Sequence, residues 1–90
     1  MDRDAIARNW QARGFGCDLW TDPPGQVWAD FVHATDELVM LIEGDIELRF
    51  AGQVLRPDVG DEVLVPANTP HTVINVGAKR NRWLYGYAKR

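Results

Sequence analysis

Cys17 is the only cysteine in the chain, so no disulfide can form within it, which fits a reducing cytoplasm. Gly16 precedes it and no basic residue stands close by, which removes the setting a catalytic thiol needs. No apolar run approaches the ~20 residues that span a bilayer. The first residues, Met1-Asp2-Arg3-Asp4, lack the basic-then-apolar layout of a secretory leader. These absences lead us to expect a soluble, cytoplasmic protein with no membrane partner. Positive charge is also scarce: the net charge is −3 and the pI is near 5.2. A nucleic-acid partner held through phosphates needs a basic face, so none is expected. The exception is the C-terminal tail, where Lys79, Arg80, Arg82, Lys89 and Arg90 supply half of all Lys and Arg. A solvated last strand explains them, and a rim attracting an anionic small molecule is the sharper alternative. There is no Gly-x-Ser-x-Gly elbow, no phosphate loop and no dinucleotide fingerprint.

What is present fits one small β domain. The 90 residues make a single domain, and chains of this size bury only about 60–65% of the surface their unfolded form exposes. A homodimer would add to that modest core. Residues 3 to 13 read as a helix: Asp2 and Asp4 suit its positive end, Ile6 and Trp10 share a face, and Gly14 is a natural stop. From Phe15 onward the pattern is short strands between turns. Val27 to His33 alternates, placing Val27, Ala29, Phe31 and His33 on one face and Trp28, Asp30 and Val32 on the other. Leu38-Val39-Met40-Leu41-Ile42 is continuously apolar, as expected of a strand covered on both sides. Ile46, Leu48 and Phe50 alternate with Glu47 and Arg49, and His71, Val73 and Asn75 alternate with Thr72, Ile74 and Val76. Trp83-Leu84-Tyr85-Gly86-Tyr87 closes the series. Seven or eight short strands at this spacing argue for an all-β sandwich or barrel, over about residues 15 to 88.

His33 and His71 are the only histidines. Each lies in or beside a strand-like run bounded by Gly or Pro. If those strands close into one barrel, His33, Glu37 and His71 can point at a common centre. Two imidazoles and one carboxylate make an open metal site, suited to non-haem Fe(II) and compatible with Mn, Zn, Ni or Cu. A carboxylate aimed into a small barrel must be paired, protonated or metal-bound. Phe31, Val39, Leu41, Leu48, Phe50 and Val73 read as barrel lining, either plain core or the wall of an apolar pocket above the metal. Trp28, Trp83, Tyr85 and Tyr87 are expected in packing or a dimer interface rather than against a substrate. Asp36 and Glu43 read as turn and rim residues, and Asn75 as a support for a turn or strand end.

Two stretches resemble the two motifs of the cupin family. In the first, Gly25, Phe31, His33, Glu37 and Gly44 fall in register, with Phe31 where the family usually has its first His. In the second, Gly60, Pro66, His71 and Asn75 match, with Asn68 in a Gly position. Fifteen residues, Asp45 to Val59, separate the motifs, the short spacing of small bacterial cupins. The resemblance covers roughly Trp20 to Tyr87 and implies a single-domain jelly-roll β-barrel with a short N-terminal helix. Asn68 tolerates positive φ, so the turn survives that change. Phe31 cannot ligate, which leaves His33, Glu37 and His71 of the family's usual ligand set.

The resemblance implies a divalent transition metal at these three residues and a small organic ligand, with dioxygenase- or isomerase-like chemistry. Two other readings stay open at this level. One is a non-catalytic binding or sensor module, with or without metal. The other is a metal-free cupin in which Phe31 marks a lost site.

Overall fold

Asp2 starts the helix: its side chain accepts from the Ala5 backbone N–H at 3.1 Å, and α1 runs Arg3–Ala12. The structure, a computed structural model, describes residues 2–89. Met1 of the acidic start and Arg90 of the basic tail lie outside the described residues. The helix ends one residue before the expected Arg13, which caps it with φ −93° and ψ 2°, and Gly14 follows at φ +88°. Trp10 is fully buried and its Nε1 donates to Glu62 at 2.9 Å. Arg13 adds a two-pronged pair to the same carboxylate, at 2.9 and 2.8 Å. No helix among the described residues is long and apolar enough to cross a membrane.

Eight strands follow: β1 (Asp18–Asp22), β2 (Val27–Phe31), β3 (Glu37–Glu43), β4 (Ile46–Phe50), β5 (Gln53–Leu55), β6 (Glu62–Val65), β7 (His71–Asn75) and β8 (Asn81–Tyr87). They form two antiparallel four-stranded sheets, ordered β1-β8-β3-β6 and β2-β7-β4-β5. The sheets face each other around one interior, the jelly-roll arrangement expected.

β3 explains why its apolar run is unbroken. Val39 and Leu41 point into the sandwich, where they meet Val65 and Trp83 from their own sheet and Ile46, Leu48 and Val73 from the other. Leu38 and Met40 point outward and are covered, with Leu84, by Trp10 of α1. A strand buried on both faces needs apolar residues at every position. Gly86 in β8 permits a close approach on that outer side, since a Cβ there would strike the Gly16 carbonyl.

One alternation departs from the sequence pattern. In β2, Trp28 pairs with Val73 and Phe31 pairs with His71, so two residues of β2 oppose the single Thr72. Asp30 takes up the extra residue at φ +56°, and its N–H donates to Thr72 Oγ1 at 3.2 Å. This bulge turns Trp28 and Phe31 to the same side, whereas strict alternation places them on opposite faces. The strand also stops at Phe31, leaving His33 in the connection beyond it.

Candidate metal centre

All three expected ligands sit at one end of the sandwich. His33 follows β2, Glu37 is the first residue of β3, and His71 is the first residue of β7. Two loops are tied together there. The Asn68 N–H donates to the His33 carbonyl at 2.6 Å, and the Ala67 N–H donates to Asp36 Oδ1 at 2.8 Å. The Asp36 carbonyl accepts from Ala88 N–H at 2.8 Å. Asn68 holds φ +59°, the conformation its motif position requires. Asp36 is therefore a loop-tying residue. Glu43 lies on the rim, where Arg80 meets it at 3.1 Å.

The ligand atoms converge. His33 Nε2 lies 3.4 Å and His71 Nε2 3.2 Å from Glu37 Oε1, and the two imidazole centroids are 4.8 Å apart. One donor atom from each residue falls within 4.8 Å of the others, a set able to hold a metal ion. His71 Nδ1 lies 3.1 Å from the Thr69 carbonyl. That oxygen can only accept, so the proton belongs on Nδ1 and the Nε2 lone pair faces the centre.

Glu37 is buried, at 3% exposure. Its Oε1 has two nitrogens at contact distance, yet neither is aligned as a donor, so the oxygen has no hydrogen bond. Burial pushes the Glu37 carboxyl up to about 7. Burial and then the neighbouring His71 lower the proton affinity of His33. Burial, followed by Glu37 and Tyr85, raises the Tyr87 phenol. Each shift opposes the charged form of its group, and a bound divalent cation reverses that preference for the carboxylate. The donor set thus fits a transition metal: two imidazoles and an unpartnered buried carboxylate meet at one point.

Above these ligands opens a cavity of about 190 Å³. Phe31 and Val73 line it. Val39, Leu41 and Leu48 lie deeper, in the core between the sheets, and Phe50 is half-buried against that core. The remaining walls are Trp20, Trp28, Trp83, Tyr85 and Tyr87. The sequence places four of these aromatic residues in packing or a dimer interface; they do pack on one another, but they also face the site. Trp28 escapes the sequence pattern because the bulge at Asp30 inverts its side. Trp20 carries no signal, because β1 alternates only loosely. Asp22, fully buried, accepts from Trp28 Nε1 at 2.9 Å and from Trp83 Nε1 at 2.8 Å. Asn75 braces the adjoining turn: its Nδ2 donates to the Pro23 and Lys79 carbonyls at 3.0 and 2.9 Å, and its Oδ1 accepts from Gly77 N–H at 3.0 Å.

Comparison with known proteins agrees with the fold. The cupin domain family matches residues 18–87. No curated protein matches the chain by sequence. Among solved structures, a protein from Thermus thermophilus superposes with a TM-score of 0.76 at 28% identity, covering 84% of this chain and 73% of its own. A conserved protein of unknown function from Streptococcus pyogenes gives 0.75 at 21%, covering 86% of this chain and 66% of its own, so this chain spans about two thirds of that relative. A predicted oxalate decarboxylase from Thermotoga maritima gives 0.76 at 15%, covering 100% and 76%. At such identities the last two speak for the fold alone. With the family match extending over most of its length, the chain belongs to the cupin domain family.

Proposed function

We propose that this protein is a small metal-binding cupin that takes an organic ligand at a centre made by His33, Glu37 and His71. The observation that carries this reading is Glu37 Oε1, buried without a donor and flanked by two imidazole nitrogens at 3.2 and 3.4 Å. A buried carboxylate oxygen in that state is costly unless something cationic shares its site. His71 offers Nε2 because Thr69 holds its other nitrogen. His33 presents Nε2 to the same oxygen at 3.4 Å, and burial disfavours its charged form. Phe31 stands where the family usually has a further His, so the protein fills three positions and leaves the rest to water or ligand.

A metal held there would supply Lewis-acid polarisation of a ligand oxygen. The chain's own residues supply the rest. The aromatic walls offer the ligand an apolar surface, and the two tied loops hold His33 and His71 close together. Elemental analysis of protein purified without chelator, then reconstituted with Fe(II), Mn(II), Zn(II) or Ni(II), tests the reading. About one metal per chain is expected, lost in His71→Ala. Absence of stoichiometric uptake for every ion refutes it.

A further inference from the structure

Six of the nine aromatic residues in the chain line the cavity above His33, Glu37 and His71. A single residue of that kind would be ordinary packing; this concentration makes a wall. Trp20 meets Trp28 edge-on at 5.6 Å and 74°, and meets Tyr85 at 6.2 Å and 81°. Edge-to-face packing of this kind fixes rings in place and leaves faces and edges for a further ring. Two of the polar groups of the wall are already paired. Both indole N–H groups of Trp28 and Trp83 are bonded to Asp22, so those side chains offer no donor to a ligand. Neither Lys nor Arg is among the lining residues. The polar groups gathered at one point are the two imidazoles and the carboxylate of the floor.

Size narrows the choice. A dry apolar cavity of about 150 Å³ is known to take benzene. This one, at about 190 Å³ and open to solvent past Trp20, Phe31 and Tyr87, holds one ring and a small substituent within its walls. It falls below the ~300 Å³ at which pockets for drug-sized ligands begin. Phe31 completes the fit. Its ring lies 6.4 Å from both imidazole centroids and at 25° to His33, so it is an aromatic surface beside the ligand atoms where the family pattern has an imidazole.

We propose that the cavity binds a single-ring aromatic compound bearing one oxygen donor, with the ring against Trp28, Phe31 and Tyr85 and the oxygen toward the metal. The orientation of the oxygen rests on the metal reading above; recognition of the ring rests on the wall alone. Phe31 is then a specificity-determining residue, exchanging one metal ligand for ring contact.

Protein reconstituted with Co(II) separates the two readings, because metal uptake and ligand entry change its visible spectrum in different steps. Phenol should perturb the spectrum of the loaded protein with a Kd at least tenfold lower than cyclohexanol or 1-naphthol. Toluene should compete with phenol. Phe31→His should keep or tighten Co(II) and weaken phenol at least tenfold. If cyclohexanol, 1-naphthol or tetramethylammonium binds as tightly as phenol, or if Phe31→His leaves phenol unchanged, the inference is wrong. If Co(II) is never taken up, the metal reading and the oxygen orientation both fall. Quenching of tryptophan fluorescence by toluene then decides ring recognition by itself, and no saturable quenching overturns that too.

Discussion

Asp22 and Glu37 are both acidic, both almost wholly buried, and both tied to the same cavity. Their surroundings differ in one respect. Asp22 receives two indole N–H donors, at 2.9 and 2.8 Å, one on each oxygen. Glu37 Oε1 receives none, although two nitrogens stand close to it. A buried carboxylate with matched donors is a structural fixture, here holding two walls of the cavity. A buried carboxylate oxygen with no donor, beside two imidazole nitrogens, belongs to a cluster able to hold a metal ion. Burial alone therefore does not distinguish the two carboxylates; the missing donor does.

Substitution should drive the two apart. Glu37→Gln should reduce metal affinity at least a thousandfold, about 4 kcal/mol, measured by competition with a chromogenic chelator. In the metal-free state it should leave the urea midpoint unchanged or raised, because an uncompensated acid is gone. Asp22→Ala should do the reverse. Two buried indole donors lose their partner, and unfolding should become easier by roughly 2–4 kcal/mol. Metal affinity should stay within threefold. If Asp22→Ala abolishes metal binding while the fold persists, the contrast collapses.

The pH dependence of metal-free stability sharpens the same point. In the unfolded chain the Glu37 carboxyl ionises near 4.5, and burial in the fold moves it up to about 7. Between these values the folded state holds the extra proton. Stability from this group is full below about 4.5 and is lost as pH rises through about 7, at most about 3 kcal/mol. His33 acts in the opposite direction, since its lowered proton affinity favours the fold as pH rises toward 6.5. The difference between wild type and Glu37→Gln isolates the carboxylate. With chelator present, the wild type should lose stability relative to the variant between pH 5 and pH 8. With Zn(II) present the trend should invert, because protons and metal compete for the same atoms. Urea titrations at both pH values, with and without metal, check both signs.

Much of this is legible in the sequence because the relevant signals are local. The helix shows in Asp2, Ile6, Trp10 and Gly14. The doubly covered β3 shows in its unbroken apolar run. The cluster of His33, Glu37 and His71 shows because only two histidines exist and each opens or follows a strand. The aromatic wall does not show, for a geometric reason. Period-two alternation places Trp28 opposite Phe31, and a single bulge at Asp30, with φ +56°, turns both the same way. Nothing about Asp announces a bulge as clearly as Gly does. Asp22 is hidden too, since its partners Trp28 and Trp83 are 6 and 61 residues away.

The two ends also differ in the turns that hold them, and here the smallest effects are expected. Gly25 lies in the Pro23–Gly25 turn beside Asp22, with φ +79° and open space where a Cβ would go. Asn68 lies in the turn beside His71, with φ +59°, and its N–H bonds the His33 carbonyl. Both conformations are left-handed, but Asn accepts that region more readily than Ala does. Gly25→Ala should lower stability by about 1 kcal/mol through backbone strain alone, with metal affinity unchanged. Asn68→Gly should change stability by less than about 0.5 kcal/mol, because the conformation is kept and only chain entropy is added. Its backbone bond to His33 survives, so metal affinity should move by less than threefold. A tenfold loss of affinity in Asn68→Gly would mean that the Asn side chain itself positions the ligands, and the Glu37 end would then depend on a contact that the backbone does not supply.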